Sequence, residues 1–214
     1  SNSPGNTIGG TTAGAGNVIS GNDEYGVWIF GAASTGNVVA GNLVGTDGAG
    51  TSAVGNGGVM GVRIEEAAGN TVADNVISGN GKHGLGIFRG APGGNTVQGN
   101  YIGTDATGSS AVPNAIQGIQ VFDSPDNQIG GTSAGARNVI SGNGAHGIQV
   151  RGVPGTNNVI EGNYIGTDIT GTVELADEFS EVVATLGKIK KGKIKWSHKM
   201  TQGSYLQVKF KQPF

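Results

Sequence analysis

Three aspartates recur in one setting: Asp47, Asp105 and Asp168 each close a Gly-Thr-Asp triplet. Repeated carboxylates could supply the acid and base of sugar-chain cleavage, where a retaining pair needs about 5 to 5.5 Å between carboxyls and an inverting pair about 6.5 to 9.5 Å. Two rungs apart in a stacked structure they would lie about 9.6 Å from one another, outside the first range and at the limit of the second. A local role competes. Asp followed by small residues and glycine, as in Asp105-Ala-Thr-Gly108, is a turn in which the carboxylate accepts from its own backbone. The turn is the expected role. Asp105 and Asp168 stay as catalytic candidates beside Arg89, because lyase-type proton abstraction needs a cation against a substrate carboxylate.

Metal chemistry has thin support. A calcium site takes six to eight oxygens from several carboxylates. The adjacent acids Glu65-Glu66 point to opposite faces of a strand and could form such a site only by meeting Asp123 across the structure. No cofactor is expected, with calcium at Glu65, Glu66 and Asp123 as the alternative. There is no cysteine, which excludes disulfides, thiolate metal sites and a thiol nucleophile. His83 and His146 occupy the position that Tyr25 takes elsewhere, each before a strand-opening glycine, and a catalytic or ligand role would not tolerate that exchange. Gly130-Gly131-Thr132 has no lysine and helix after it, so it is not a phosphate loop.

These residues sit in a repeat. Ile-Ser-Gly-Asn stands at 19–22, 77–80 and 140–143, and Gly-Thr-Asp at 45–47, 103–105 and 166–168. Short segments such as Gly26-Val-Trp-Ile29, Gly61-Val-Arg-Ile64, Gly84-Leu-Gly-Ile87 and Gly147-Ile-Gln-Val150 carry apolar residues two apart, the mark of strands with one buried face. Coils start at Asn6, Asn37, Asn70, Asn95, Asn127 and Asn158, and a coil of short strands can bury its apolar face only against a copy of itself. The spacing predicts an all-β, right-handed parallel β-helix of about six coils, with inward Val and Ile stacks. Asn37, Asn70, Asn95, Asn127 and Asn158 are predicted to form an amide ladder along the axis.

Asn17-Val-Ile-Ser-Gly-Asn22, Gly99-Asn-Tyr-Ile-Gly-Thr-Asp105 and Gly147-Ile-Gln-Val150 resemble the degenerate repeats of right-handed parallel β-helix proteins, found in bacterial secreted and cell-surface proteins. The resemblance covers residues 5–171 and implies an extracellular or cell-surface location. It does not select an activity, because the scaffold carries lyases, hydrolases, epimerases, tailspikes, adhesins and structural rods.

Beyond Thr172 the repeat fades. Domains are expected at 1–171, the β-helix, and 172–214, a cap of one helix and a β-hairpin. Leu175, Phe179, Val182, Val183 and Leu186 fall on a helical stripe, and alternation over 193–210 reads as the hairpin. Residues 1–171 hold 5 Lys/Arg against 11 Asp/Glu, and residues 172–214 hold 8 against 4. The acidic repeat argues against nucleic acid as a partner, and no run is long and apolar enough to span a membrane. The functional expectation is a structural or recognition module that contacts polysaccharide, or another surface protein, through the solenoid face. A carbohydrate-active enzyme and a trimeric tailspike or adhesin fibre segment are the alternatives. A monomer with capped ends is expected, with a trimer as the other state. The contact surface is placed on the long outer face with its loops of varied length at 45–58, 103–115 and 166–172, and Trp28, Phe30, Tyr101, Phe122 and Tyr164 are its aromatics.

Overall fold

The computed structural model describes residues 3–90, 94–152, 156–185 and 208–209. Strands of two to six residues form three sheets, and consecutive strands of the chain go to different sheets in rotation. The first sheet stacks Thr7–Gly9, Val38–Ala40, Thr71–Ala73, Thr96–Gln98, Gln128–Gly130 and Val159–Glu161. The second stacks the two-residue strands Val18–Ile19, Leu43–Val44, Val76–Ile77, Tyr101–Ile102, Val139–Ile140 and Tyr164–Ile165. The third is broadest: Tyr25–Phe30, Met60–Glu65, His83–Phe88, Ile119–Phe122, His146–Arg151 and Ser180–Thr185. All these pairings are parallel, so the chain winds through six three-stranded coils. At about 4.8 Å per rung they build a parallel β-helix roughly 29 Å long.

Register explains the core. In the first sheet Val39 lies on Val72, Val97 and Ile129, and in the second Val44 lies on Ile77, Ile102 and Ile140. The third contributes two inward files, one through Val62, Leu85, Ile119 and Ile148, the other through Ile64, Ile87, Val121 and Val150. These side chains are fully buried in one cluster. Each such burial stabilises by about 1.5 to 3 kcal/mol, and β-branched side chains suit the position because their stiff rotamers already fit a pleated surface.

The corners are held by asparagine. Asn6, Asn37, Asn70, Asn95, Asn127 and Asn158 form one ladder in which each Nδ2 donates to the next Oδ1 at 2.8–3.2 Å. The same Oδ1 also accepts the preceding rung's backbone N–H. A second ladder runs through Asn17, Asn42, Asn75, Asn100, Asn138 and Asn163. A third runs through Asn22, Asn56, Asn80, Asn114 and Asn143 and ends on the Asp177 carboxylate.

One expectation is overturned. The helical stripe over 175–186 contains the strand Ser180–Thr185, parallel to His146–Arg151 with Val182 on Ile148 and Ala184 on Val150. This strand completes the sixth coil, so parallel pairing continues to Thr185. The markers that identify its counterparts are changed: Asp177 stands for the ladder asparagine and Glu181 for the opening glycine. Of the expected hairpin only Val208–Lys209 lies within the described residues, as a strand antiparallel to Val159–Glu161 on the first sheet.

Candidate functional site: the outer face of the third sheet

The Gly-Thr-Asp triplets close small hairpins that even-numbered coils insert between the second and third sheets. Thr46, Thr104 and Thr167 bridge Ala53, Ala111 and Glu174 in antiparallel pairs. Inside each hairpin the aspartate accepts from the backbone four and five residues on: Asp47 from Thr51 and Ser52, Asp105 from Ser109 and Ser110, Asp168 from Thr172 and Val173. The Thr51 N–H holds Asp47 below the ordinary carboxylate value, and the Thr170 hydroxyl does the same for Asp168. Burial alone would raise Asp105, but bonds from Ser109, Thr107 and Ser110 outweigh it. Carboxyls held ionised in this way are poor general acids. The hairpins also touch: Ala106 N–H donates to Gly50 O and Ile169 N–H to Gly108 O, both at 2.9 Å.

The odd coils supply the clamp. Ser78 Oγ donates to Thr104 O at 2.7 Å and accepts from Gly103 N–H at 2.9 Å, and Ser20 and Ser141 grip the Gly-Thr of coils two and six alike. Ile-Ser-Gly-Asn and Gly-Thr-Asp are thus two halves of one structural device. Tyr101 and Tyr164 pack against Gly108 and Gly171 of these hairpins, so they are part of the same packing.

The outer face of the third sheet does not repeat. One row reads Trp28, Arg63, Gly86, Gln120, Gln149 along the axis, and the next reads Phe30, Glu65, Phe88, Phe122, Arg151. Tyr25, Trp28 and Phe30 form an aromatic cluster at the N-terminal end, with ring centroids 5.4 and 5.2 Å apart. Trp28 is 51% exposed. Next comes a charged knot. Glu65, 4% exposed, accepts from Arg63 Nε at 2.8 Å and pairs with Arg89, which also reaches Glu66 at 3.8 Å. Arg63 donates further to the Tyr25 hydroxyl and lies over the Phe88 ring, 4.7 Å from its centroid. Arg151 lies 5.3 Å from the Phe122 centroid. Burial, and then the positive charge of Arg151, push the His83 imidazole down to about 4, so it is neutral near pH 7.

The backbone after each strand adds a signal. The residue following the strand has positive φ on coils one to five: Gly31, Glu66, Arg89, Asp123 and Gly152. Glycine takes this conformation freely, whereas other residues are strained by about 1 to 3 kcal/mol. The middle three coils therefore place charged side chains where the flanking coils use glycine. Backbone bonds stack Glu66, Arg89 and Asp123 on successive coils, and of the three acids proposed as calcium ligands Glu65 and Glu66 pair with the Arg89 guanidinium. Among the described residues no three His, Cys, Asp or Glu side chains converge.

Sequence reasoning pointed to the long outer face and its loops and singled out Arg89, but it did not show that Arg63, Arg89 and Arg151 lie together on the third sheet. The only periodic clue was the Gly-apolar-x-apolar motif, whose x position is the first outward row. A cleft of about 570 Å³ lies elsewhere, lined by Gly10, Thr11, Asn17, Leu43, Gly48 and Asp74 among others, with Asp74 the one charged lining residue.

Three sheets, stacked coils and asparagine corners define a right-handed parallel β-helix repeat protein. Residues 50–178, more than half of the 214-residue chain, match the family model described as periplasmic copper-binding protein (NosD). The chain belongs to that family. No curated protein and no solved structure matches it. The described residues do not fit a copper centre, which draws on thiolate, thioether or imidazole ligands. His83 and His146 stand two coils apart on the third sheet, with Gln117 between them, and Met60, the register partner of His83, packs its sulfur over Gly86. No helix among the described residues is long and apolar enough to cross a membrane.

Proposed function

We propose that this chain is a non-catalytic recognition module of the periplasm or cell surface that contacts polysaccharide through the outer face of the third sheet. The observation that carries this reading is the break in the repeat. Ladders and core recur on every coil and hairpins on every second one, whereas one face carries Trp28, Arg63, Glu65, Phe122 and Arg151 with repetition only at the neighbouring pairs Gln120–Gln149 and Phe88–Phe122. Exposed aromatic rings beside fixed amides and charges suit sugar rings, whose faces are apolar and whose edges are polar. The periplasmic description of the family supports export.

Affinity electrophoresis through gels holding neutral and acidic polysaccharides tests the reading. The wild-type chain is expected to be retarded by at least one polymer, and Trp28→Ala to weaken that interaction about tenfold, roughly 1.4 kcal/mol, through lost stacking. Migration unchanged by every polymer would refute it.

A second reading, a polysaccharide lyase or related carbohydrate-active enzyme, draws on the Arg63–Glu65–Arg89 knot, since a buried carboxylate between cations is an arrangement active sites also use. Incubation with uronate polymers, with and without calcium, decides it. New absorbance from an unsaturated product, abolished by Arg89→Ala, would establish the enzyme.

A further inference from the structure

We infer that the third-sheet face selects a carboxylate-bearing, acidic polysaccharide, with the guanidiniums of Arg89 and Arg151 as its carboxylate contacts; this rests on the recognition reading above. The first support is where the positive charge lies. Residues 1–171 carry a balance of −6, yet four of their five basic residues, Arg63, Lys82, Arg89 and Arg151, sit in third-sheet strands or beside their ends. The fifth, Arg137, packs over the Tyr164 ring at 4.1 Å and donates to Gly162 O. An acidic rod thus concentrates its cations on the one face that does not repeat.

The second support is how those cations are held. Arg63 is part of the platform: its side chain is 17% exposed, it is bound to Glu65 and Tyr25, and it is flanked by aromatic rings. Arg89 is 55% exposed at its side chain and anchored by Glu65, with the Glu66 carboxylate 3.8 Å from its Nε. A guanidinium has five N–H donors in a planar fork, so an arginine gripped from one edge still presents donors to a carboxylate on the other. Arg151 is exposed and braced by Phe122 beneath it. Register sets the pair two coils apart, Phe88 to Phe122 to Arg151, with Arg89 following Phe88, hence about 9.6 Å along the axis.

The third support is the backbone at Arg89. Its φ of 48° lies in the left-handed region, where a non-glycine residue is strained; the equivalent residues Gly31 and Gly152, at 97° and 90°, also have positive φ but as glycines are free of that cost. Keeping a long cationic side chain there is unfavourable for the fold, which fits a position whose side chain meets a ligand. Glu65, Glu66 and Asp123 are the acids at the C-terminal ends of these strands, and Glu24 adjoins the start of Tyr25–Phe30.

Binding of the full chain to polygalacturonate, and to the same polymer fully methyl-esterified, tests the inference. Expected are at least tenfold weaker binding to the ester and, for Arg89→Gln and Arg151→Gln singly, losses of about fivefold to tenfold, the scale of one charge-assisted contact at an exposed site. Arg151→Gln leaves the Glu65 pair intact, so it reads binding even where Arg89→Gln disturbs the fold. A variant with Lys188, Lys190, Lys191, Lys193 and Lys195 all changed to Gln is expected to bind as the wild type does. Equal binding of both polymers, or loss only in the lysine variant, overturns carboxylate selection by this face while polysaccharide recognition stands. Failure to bind these two and a neutral glucan overturns both readings.

Discussion

Asn75 shows what one side chain contributes to this rod. Its Oδ1 accepts from the backbone and side chain of Asn42, and its Nδ2 donates to Val39 O, Ala73 O and Asn100 Oδ1, all without solvent. Asn75→Ala orphans several buried groups at about 1 to 3 kcal/mol each, so urea titration is expected to show a loss of at least about 3 kcal/mol. A loss under 1 kcal/mol would show that the ladder adds little. His83 predicts a pH effect. The unfolded chain binds its proton near the ordinary value of 6.5 and the folded chain resists until about 4, so protons favour unfolding across that interval. Through this group stability should decline from pH 6.5 to 4 by roughly 3 kcal/mol, and His83→Gln should flatten that segment of the profile; below pH 4 it falls further as Asp47, Asp105 and Asp168, held ionised in the fold, take up protons. The ladder role of asparagine was legible because an amide that repeats at coil spacing can both donate and accept. The charged knot was not, since Arg63, Glu65 and Arg89 occupy unlike offsets in their coils and only the register of the third sheet unites them.

At the scale of elements, the hairpins and turns are the tight places. Gly103 has φ 89°, and a Cβ there would come within 2.4 Å of Asn143 Oδ1 and of Ser141 O. Gly103→Ala should therefore cost at least about 3 kcal/mol, combining left-handed strain with overpacking. Asp123→Gly is expected to behave oppositely: with φ 49° in the wild type, the change relieves strain and leaves the thermal midpoint equal or higher. A drop of several degrees would show that the Asp123 side chain supports the fold. The strand Ser180–Thr185 marks the limit of element-level reading. Leu175, Phe179, Val182 and Val183 suit a helical face as well as a strand entered from a turn, and with the glycine and asparagine markers replaced nothing local separates the two.

For the whole molecule, stability is distributed along one axis, because each coil touches its immediate neighbours and, through the hairpins alone, the next even-numbered coil. The first coil pairs on one side only and leaves Val18 55% exposed, whereas Val72, Ile77 and Leu85 of the third coil are fully buried. Amide hydrogen exchange should rank accordingly, with protection lowest at Thr7–Gly9 and Val18–Ile19 and highest in coils three and four. Uniform protection along the rod would show a single cooperative unit instead.

The ladders also have a direction: each linking bond runs from the amide of one asparagine to the side-chain oxygen of its C-terminal neighbour, while the same amides also turn back to backbone carbonyls. Asp177 interrupts that relay, for a carboxylate can receive from Asn143 and has nothing to pass on. An asparagine stacked on Asp177 as the others are stacked would turn its carbonyl oxygen toward a carboxylate where the ladder calls for a donor, and the two would repel. Swapping nitrogen for oxygen at one rung thus acts as punctuation, closing one ladder by chemistry alone while the backbone pairing of the third sheet runs on beside it.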